Sequence, residues 1–177
     1  MPSITNAYNW EVNECNKDDV GYSMDYRNQQ TVNGITYYDC SSFQWYGLLN
    51  GDFDVIGANG SSYPFTTSTM GEVLEKLGFT RYNASEVEWK KGDIVWRNGH
   101  CEMVYDGQRT MGAHSSTYEL KDQVSINENE SSKNSYTYLY RYSDNIIPPT
   151  ITPVPLKKKR LPVWLMCARK KYWTEEI

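Results

Sequence analysis

The chain has 177 residues, 39% hydrophobic and 14% aromatic, a composition that fits one globular domain and excludes a disordered chain or a bundle of membrane helices. The formal charge of −4 is unevenly spread: Lys157 to Ile177 holds seven Lys or Arg against two Glu, leaving eleven basic and twenty acidic residues in the other 156. So acidic a body excludes a general nucleic-acid binder, which needs basic surface to displace counterions from phosphates.

Taken in chain order, Met1 to Trp10 has neither the basic start nor the apolar stretch of a secretory signal, and no run approaches the ~18 apolar residues of a membrane span. Delivery beyond a membrane would therefore need another route. Asn9 to Arg27 is polar and mixed, with Asp18 to Asp25 bounding a short helix. Asp39 is a good N-cap, and Phe43, Tyr46 and Leu49 recur near helical spacing, so a helix is expected to start at Cys40. Asn50 to Thr69, rich in Gly, Asn, Ser and Thr, reads as a long loop. A second helix, Met70 to Leu77, is capped by Ser68 or Thr69 and stopped by Gly78.

Beyond Gly92 the pattern changes to short strands, Asp93–Arg97, His100–Tyr105 and Gln108–His114, separated by the turn dipeptides Asn98-Gly99 and Asp106-Gly107. A last strand, Tyr136–Tyr142, alternates so as to place four tyrosines on one face. Helices followed by a meander predict an α+β fold with an antiparallel sheet. Five of the seven prolines lie between Pro148 and Pro162. The expected organisation is a domain over 1–142, a Pro-rich linker over 143–156 and a basic, aromatic tail over 157–177.

The four cysteines, at 15, 40, 101 and 167, lack C-x-x-C spacing and are too few for a disulfide scaffold. Cys40, in the first turn of a helix, is placed to ionise, because free backbone N–H groups and the helix dipole favour a thiolate. An imidazole is the usual second member of such a site, and the chain has only His100 and His114. Strand parity tests whether they act together. A two-residue loop at Asp106-Gly107 sends them to opposite faces. A three-residue loop with Gly107 left-handed pairs Val104 with Gln108 and His100 with Gly112, leaving His114 diagonal to His100 on one face, and this is the expectation. Glu102 shares that face and is an alternative orienter. Cys101 points the other way, which argues against it as the nucleophile.

Tyr37-Tyr38-Asp39-Cys40-Ser41-Ser42, Lys91-Gly92-Asp93-Ile94-Val95-Trp96, and Gly99-His100 leading into Met103-Val104-Tyr105 together resemble the papain-like NlpC-type cell-wall hydrolases. Within these, Tyr22-Ser23-Met24-Asp25 and Tyr38 to Ser42 are similar to elements of phage lysins of the pneumococcal Pal amidase group. The similarity runs from about residue 7 to Tyr142. It implies a papain-like NlpC-type fold, with the nucleophile at the N-terminus of a helix packed on the meander. It also implies Cys40 as nucleophile, His100 as base, His114 as the polar residue orienting the imidazole, and Tyr22 beside the oxyanion with the Cys40 amide. Asp39 and Ser41 flank this oxyanion and substrate region.

The implied function is cleavage of an amide bond in bacterial peptidoglycan without a cofactor. The bond is either that between N-acetylmuramic acid and L-alanine or one within the stem peptide beside D-glutamate, and the enzyme is either an endolysin or carried in the virion. Two other readings differ in class. Cys40, His100, Cys101 and His114 have the ligand types of a zinc site, but parity separates Cys101 from His100, so no metal is expected. A non-catalytic wall-binding module or tail structural protein would use the fifteen Tyr and six Trp to hold glycan without cutting it. The tail over 157–177 suits anionic wall polymers or phage tail proteins.

Overall fold

The computed structural model describes residues 1–143; the tail and all of the expected linker but Ser143 lie outside the described residues. The chain opens with α1 (Ile4–Cys15), capped by the Ser3 hydroxyl, which accepts from Asn6 N at 3.2 Å. This helix falls ahead of the Asp18–Asp25 stretch expected to bound one, which instead enters β1 (Val20–Tyr22) and a bend. Its buried positions, Ala7, Glu11, Val12, Glu14 and Cys15, have helical spacing, but two are carboxylic acids and disguise the apolar stripe.

The strands β2 (Thr31–Val32) and β3 (Ile35–Tyr38) complete a small sheet in the order β1-β3-β2. Because β1 runs parallel to β3 with Tyr22 level with Tyr38, Tyr22 is set beside the residues that lead into the second helix. That helix, α2 (Cys40–Asn50), begins where its N-cap predicts. Asp39 Oδ1 accepts from Ser42 N at 2.6 Å, and the Ser42 hydroxyl receives the Asp39 N–H at 2.9 Å, a reciprocal capping box. The two helices lie close. A Cβ at Gly47 on α2 would stand 2.4 Å from Glu11 Oε1, and one at Gly51, the C-cap of α2, 2.7 Å from the Ser3 carbonyl, so both positions need glycine.

The expected loop from Asn50 to Thr69 contains a short helix, α3 (Val55–Asn59), whose start Asp54 caps through Gly57 N at 2.9 Å. The helix α4 (Met70–Lys76) follows near its expected bounds, though Thr69 contributes no side-chain cap.

The main sheet has six strands: β4 (Thr80–Asn83), β5 (Ile94–Arg97), β6 (His100–Val104), β7 (Thr110–Ala113), β8 (Val124–Ile126) and β9 (Tyr138–Arg141). Their order is β4-β9-β5-β6-β7-β8 and every neighbouring pair is antiparallel. The fold is thus α+β with an antiparallel main sheet. One face, carrying Ile94, Cys101, Met103, Met111, Ala113 and Tyr140, joins α1 and α2 in the principal core. The other buries Val95, Val104 and Leu139 against Ala84 and Trp89. A short helix, α5 (Leu120–Gln123), leads into β8.

Two expectations about this sheet need correction. Four tyrosines do not share a face: Tyr138, Tyr140 and Tyr142 pack with the principal core, but Tyr136 packs on Trp89 behind the sheet. A 3₁₀ turn over Lys133–Ser135 delays the strand to Tyr138, so alternation does not extend back to Tyr136. The loop after β6 has the expected odd length and Gly107 is left-handed at φ +93°, but the register is shifted. Val104 pairs with Thr110 rather than Gln108, and Tyr105 N donates to Arg109 O at 2.8 Å. The Asp106 carboxylate causes the shift by accepting from the backbone N–H groups of Gln108 and Arg109, which draws Gln108 into the turn. Continued along the strands, this register sets Glu102 across from Gly112, where a Cβ would meet the Glu102 side chain at 3.3 Å.

Candidate active site

The start of α2 arrives at the end of β6 where the two-residue turn Asn98-Gly99 delivers His100, which pairs with Arg97. Cys40, 5% exposed, lies against this turn with Sγ 3.9 Å from the Gly99 carbonyl. The Cys101 thiol and the His100 ring are the neighbours that bear most on its ionisation. His100 Nε2 meets Glu102 Oε1 at 2.9 Å, so the carboxylate fixes the orientation of the ring through that nitrogen.

Glu102 occupies the centre of the polar face. Its Oε1 also receives His114 Nδ1 at 2.9 Å, while Oε2 accepts from Tyr136 Oη at 2.7 Å, from Asn127 Nδ2 at 3.1 Å and from the Thr110 hydroxyl. The second His114 nitrogen faces the Ser125 carbonyl at 3.0 Å. His114 is therefore on the expected face, but its ring nitrogens meet Glu102 and Ser125, and the group beside the His100 ring is the carboxylate expected as the alternative. Sequence reasoning missed Thr110, Asn127 and Tyr136 altogether. Being polar and partly buried opposite one carboxylate, they are recognisable only once the strands are paired.

Electrostatics follow from these contacts. The Cys40 thiol is pulled down to about 5, chiefly by the hydrogen bond from Cys101; burial opposes this, and the His100 ring adds a hydrogen bond and a positive charge. For His100, burial alone would lower the pKa, but hydrogen bonds to Cys40 and Glu102 and their negative charges push it up to about 9. Burial likewise disfavours charge on Glu102, yet the hydrogen bonds and charges of the two histidines hold its carboxyl well below the usual carboxylate range. Near neutral pH the resting pair is thiolate and imidazolium, with a carboxylate behind it.

Tyr22 stands in the wall of this site. Its phenol is pushed up to about 12 by burial and by negative charge at Cys40 and Asp39, its Oη contacts Met24 Sδ at 3.3 Å, and its backbone N–H is fixed by Gln123 Oε1 at 2.8 Å. Asp39 and Ser41 are each 3% exposed, and their side chains turn inward toward Arg27. That guanidinium donates Nε to Asp39 Oδ2 at 2.6 Å, Nη2 to Ser41 Oγ at 2.9 Å and to Phe65 O at 2.5 Å, and Nη1 to Pro64 O at 3.0 Å. Arg27 thus joins the start of α2 to the loop before α4. Its polar stretch in the sequence carries no sign of that role.

Among the described residues, one group matches metal-ligand spacing: His100, Glu102 and His114, whose ligand-type atoms lie within 4.8 Å of one another. It differs from the cysteine-containing set weighed from sequence. Both rings already share Glu102 Oε1, so hydrogen bonds alone account for the cluster.

Among the described residues no helix is long and apolar enough to cross a membrane. Comparison with curated proteins gives no match. A family profile described as bacteriophage peptidoglycan hydrolase (Amidase_5) matches residues 3–147, a span that includes Cys40, His100, Glu102 and His114. With most of its length inside that match, the chain belongs to the family of bacteriophage peptidoglycan hydrolases.

Proposed function

We propose that this hydrolase cuts peptidoglycan by cysteine chemistry, with Cys40 as nucleophile, His100 as general acid and base, and Glu102 as the group that orients the imidazole. The observation that carries the reading is Cys40 at the N-terminus of α2, its sulfur against the Gly99 carbonyl that leads into His100, whose ring is held by the Glu102 carboxylate. The thiolate attacks the carbonyl carbon of a wall amide. The resulting oxyanion lies near the Cys40 amide, whose helical position leaves it without an intrahelical acceptor, and near Tyr22. His100 gives its proton to the departing amine, leaving a thioester on Cys40. It then takes a proton from water, which hydrolyses the thioester and restores the pair. His114 acts one step out by holding Glu102, a buttressing role instead of the direct orienting one expected from the sequence.

The preferred bond is that between N-acetylmuramic acid and L-alanine, the second choice a stem-peptide bond beside D-glutamate. Mass spectrometry of fragments released from defined peptidoglycan tests both. Amidase action yields sugar freed of peptide and new L-alanine amino termini; endopeptidase action leaves a peptide stub on the sugar. Release of no fragment would sink both and favour a wall-binding module. The tail over 157–177 is proposed to hold the enzyme to anionic wall polymers or phage tail proteins. Removing it should slow lysis of intact walls while leaving hydrolysis of soluble muropeptides unchanged.

A further inference from the structure

At 55%, Tyr118 is the most exposed aromatic residue among the described residues, and it stands at the edge of the catalytic face. Its ring lies 6.5 Å from the His114 ring at a tilt of 47°, too oblique a contact to cover a face of the phenol. A single exposed tyrosine needs no explanation. What sets this one apart is the backbone beneath it. Gln123 of α5 donates Nε2 to the carbonyls of Tyr118 at 3.1 Å and Ser116 at 3.4 Å, while its Oε1 accepts from Tyr22 N at 2.8 Å. Its own backbone carbonyl accepts from His114 N at 2.8 Å. One residue thus ties the Tyr118 loop both to the strand of Tyr22 and to His114. The loop is also closed on itself: Tyr118 N donates to Ser115 O at 3.4 Å, and Thr117 N to Ser115 Oγ at 3.2 Å. The fit is tight, since a Cβ at Gly21 would stand 3.1 Å from both Gln123 Oε1 and Leu120 Cδ1. A ring shown to solvent on a backbone so anchored loses little freedom when it gains a partner.

We infer that Tyr118 is a substrate-contacting residue whose open face stacks on a sugar ring of the glycan chain beside the scissile amide. The inference rests on the reading of Cys40, His100 and Glu102 as the reacting centre. The choice of sugar over stem peptide follows from charge. A stem peptide carries carboxylates and calls for a cation, but Lys121 is already paired with Glu119 at 2.8 Å and with Asp122 at 3.9 Å. The loop offers instead an uncharged aromatic face and the hydroxyls of Ser115, Ser116 and Thr117. That pairing matches a pyranose, which shows C–H groups on its faces and hydroxyls around its rim. A sugar held on this side also fits the preferred bond, whose carbonyl stands on the lactyl arm of N-acetylmuramic acid.

The test uses the full chain carrying Cys40→Ala, so that bound material is not cut, and follows equilibrium binding of two probes by nuclear magnetic resonance titration. One is the disaccharide of N-acetylglucosamine and N-acetylmuramic acid, which has no peptide. The other is the tetrapeptide L-alanyl-D-isoglutaminyl-L-lysyl-D-alanine, which has no sugar. Adding Tyr118→Ala removes the stacking face and should weaken disaccharide binding roughly five- to tenfold while leaving the tetrapeptide unaffected. Tyr118→Phe keeps the face and should stay within about twofold of the Tyr118 protein for both probes. Disaccharide binding that is undetectable with Tyr118 in place, or equal after Tyr118→Ala, would overturn the inference. So would a loss that falls on the tetrapeptide or on both probes alike, the mark of a peptide contact or of a ring that only braces the site. A failure of the cysteine reading shows separately, as fragment release from peptidoglycan that persists in Cys40→Ala.

Discussion

Glu102 and Glu11 are buried alike, 3% and 0% exposed, one on the polar face of the main sheet and the other between α1 and α2, yet they are held in opposite states. Glu102 is surrounded by donors: two imidazoles, a phenol, an amide and a hydroxyl. Glu11 has Gln44 Nε2 at 3.1 Å, while its own Oε1 and the Gln44 carbonyl oxygen find no partner. Burial therefore wins at Glu11 and pushes its carboxyl well above the ordinary range. At Glu102 the donors win. Burial alone neutralises a carboxyl; a charge survives in the interior only where hydrogen bonds replace the lost water. On this reasoning Glu102 supports an imidazolium, and Glu11 is a neutral packing group.

The largest expected difference comes from replacing each acid by its amide. Glu102→Gln removes the charge behind His100 and should lower kcat/KM on soluble muropeptides by roughly 10²- to 10⁴-fold. Glu11→Gln should leave it within about threefold, since no charge is lost. Equal losses would show that the two acids do not differ as described. The pH profile carries the same contrast. Activity of the parent enzyme should rise as Cys40 ionises near 5 and fall as the imidazolium deprotonates near 9. Because the Glu102 charge raises the His100 value, its removal should draw the alkaline limb to lower pH.

A third buried acid, Asp39, is neutralised by an ion pair instead. Arg27→Met would strand it and should cost about 3–5 kcal/mol in a denaturant unfolding measurement, a much larger effect on stability than either amide substitution produces. His114→Gln touches the network one step from His100 and should cost roughly tenfold in kcat/KM, less than Glu102→Gln. The smallest effect concerns stability at Glu11. Its folded pKa is raised, so the native state binds more protons than the unfolded chain and stability falls as pH climbs above the ordinary carboxyl range. Glu11→Gln should be free of that loss, and thermal melts from pH 4 to 8 should diverge in its favour.

What could be read from the sequence follows how local the physics is. The helix at Cys40 and the turn at Asn98-Gly99 depend on neighbours within four residues, and both formed where expected. The placement of His100, Glu102 and His114 on one face required only strand parity and an odd loop. The register did not follow from the dipeptide, because the Asp106 side chain draws Gln108 into the turn. The helix α1 was hidden by Glu11 and Glu14, polar residues at buried positions. Non-local groups were invisible for a plainer reason: Tyr136 and Asn127 reach Glu102 from 34 and 25 residues away, and Arg27 reaches Phe65 from 38.

The most direct test of the account is the turbidity of a bacterial cell-wall suspension treated with equal amounts of the parent protein and of Cys40→Ala, both verified as folded by circular dichroism. With Cys40 as the nucleophile, the parent protein should clear the suspension and the variant should do no more than buffer. Clearing by Cys40→Ala at the parent rate would contradict it and move the chemistry to another group.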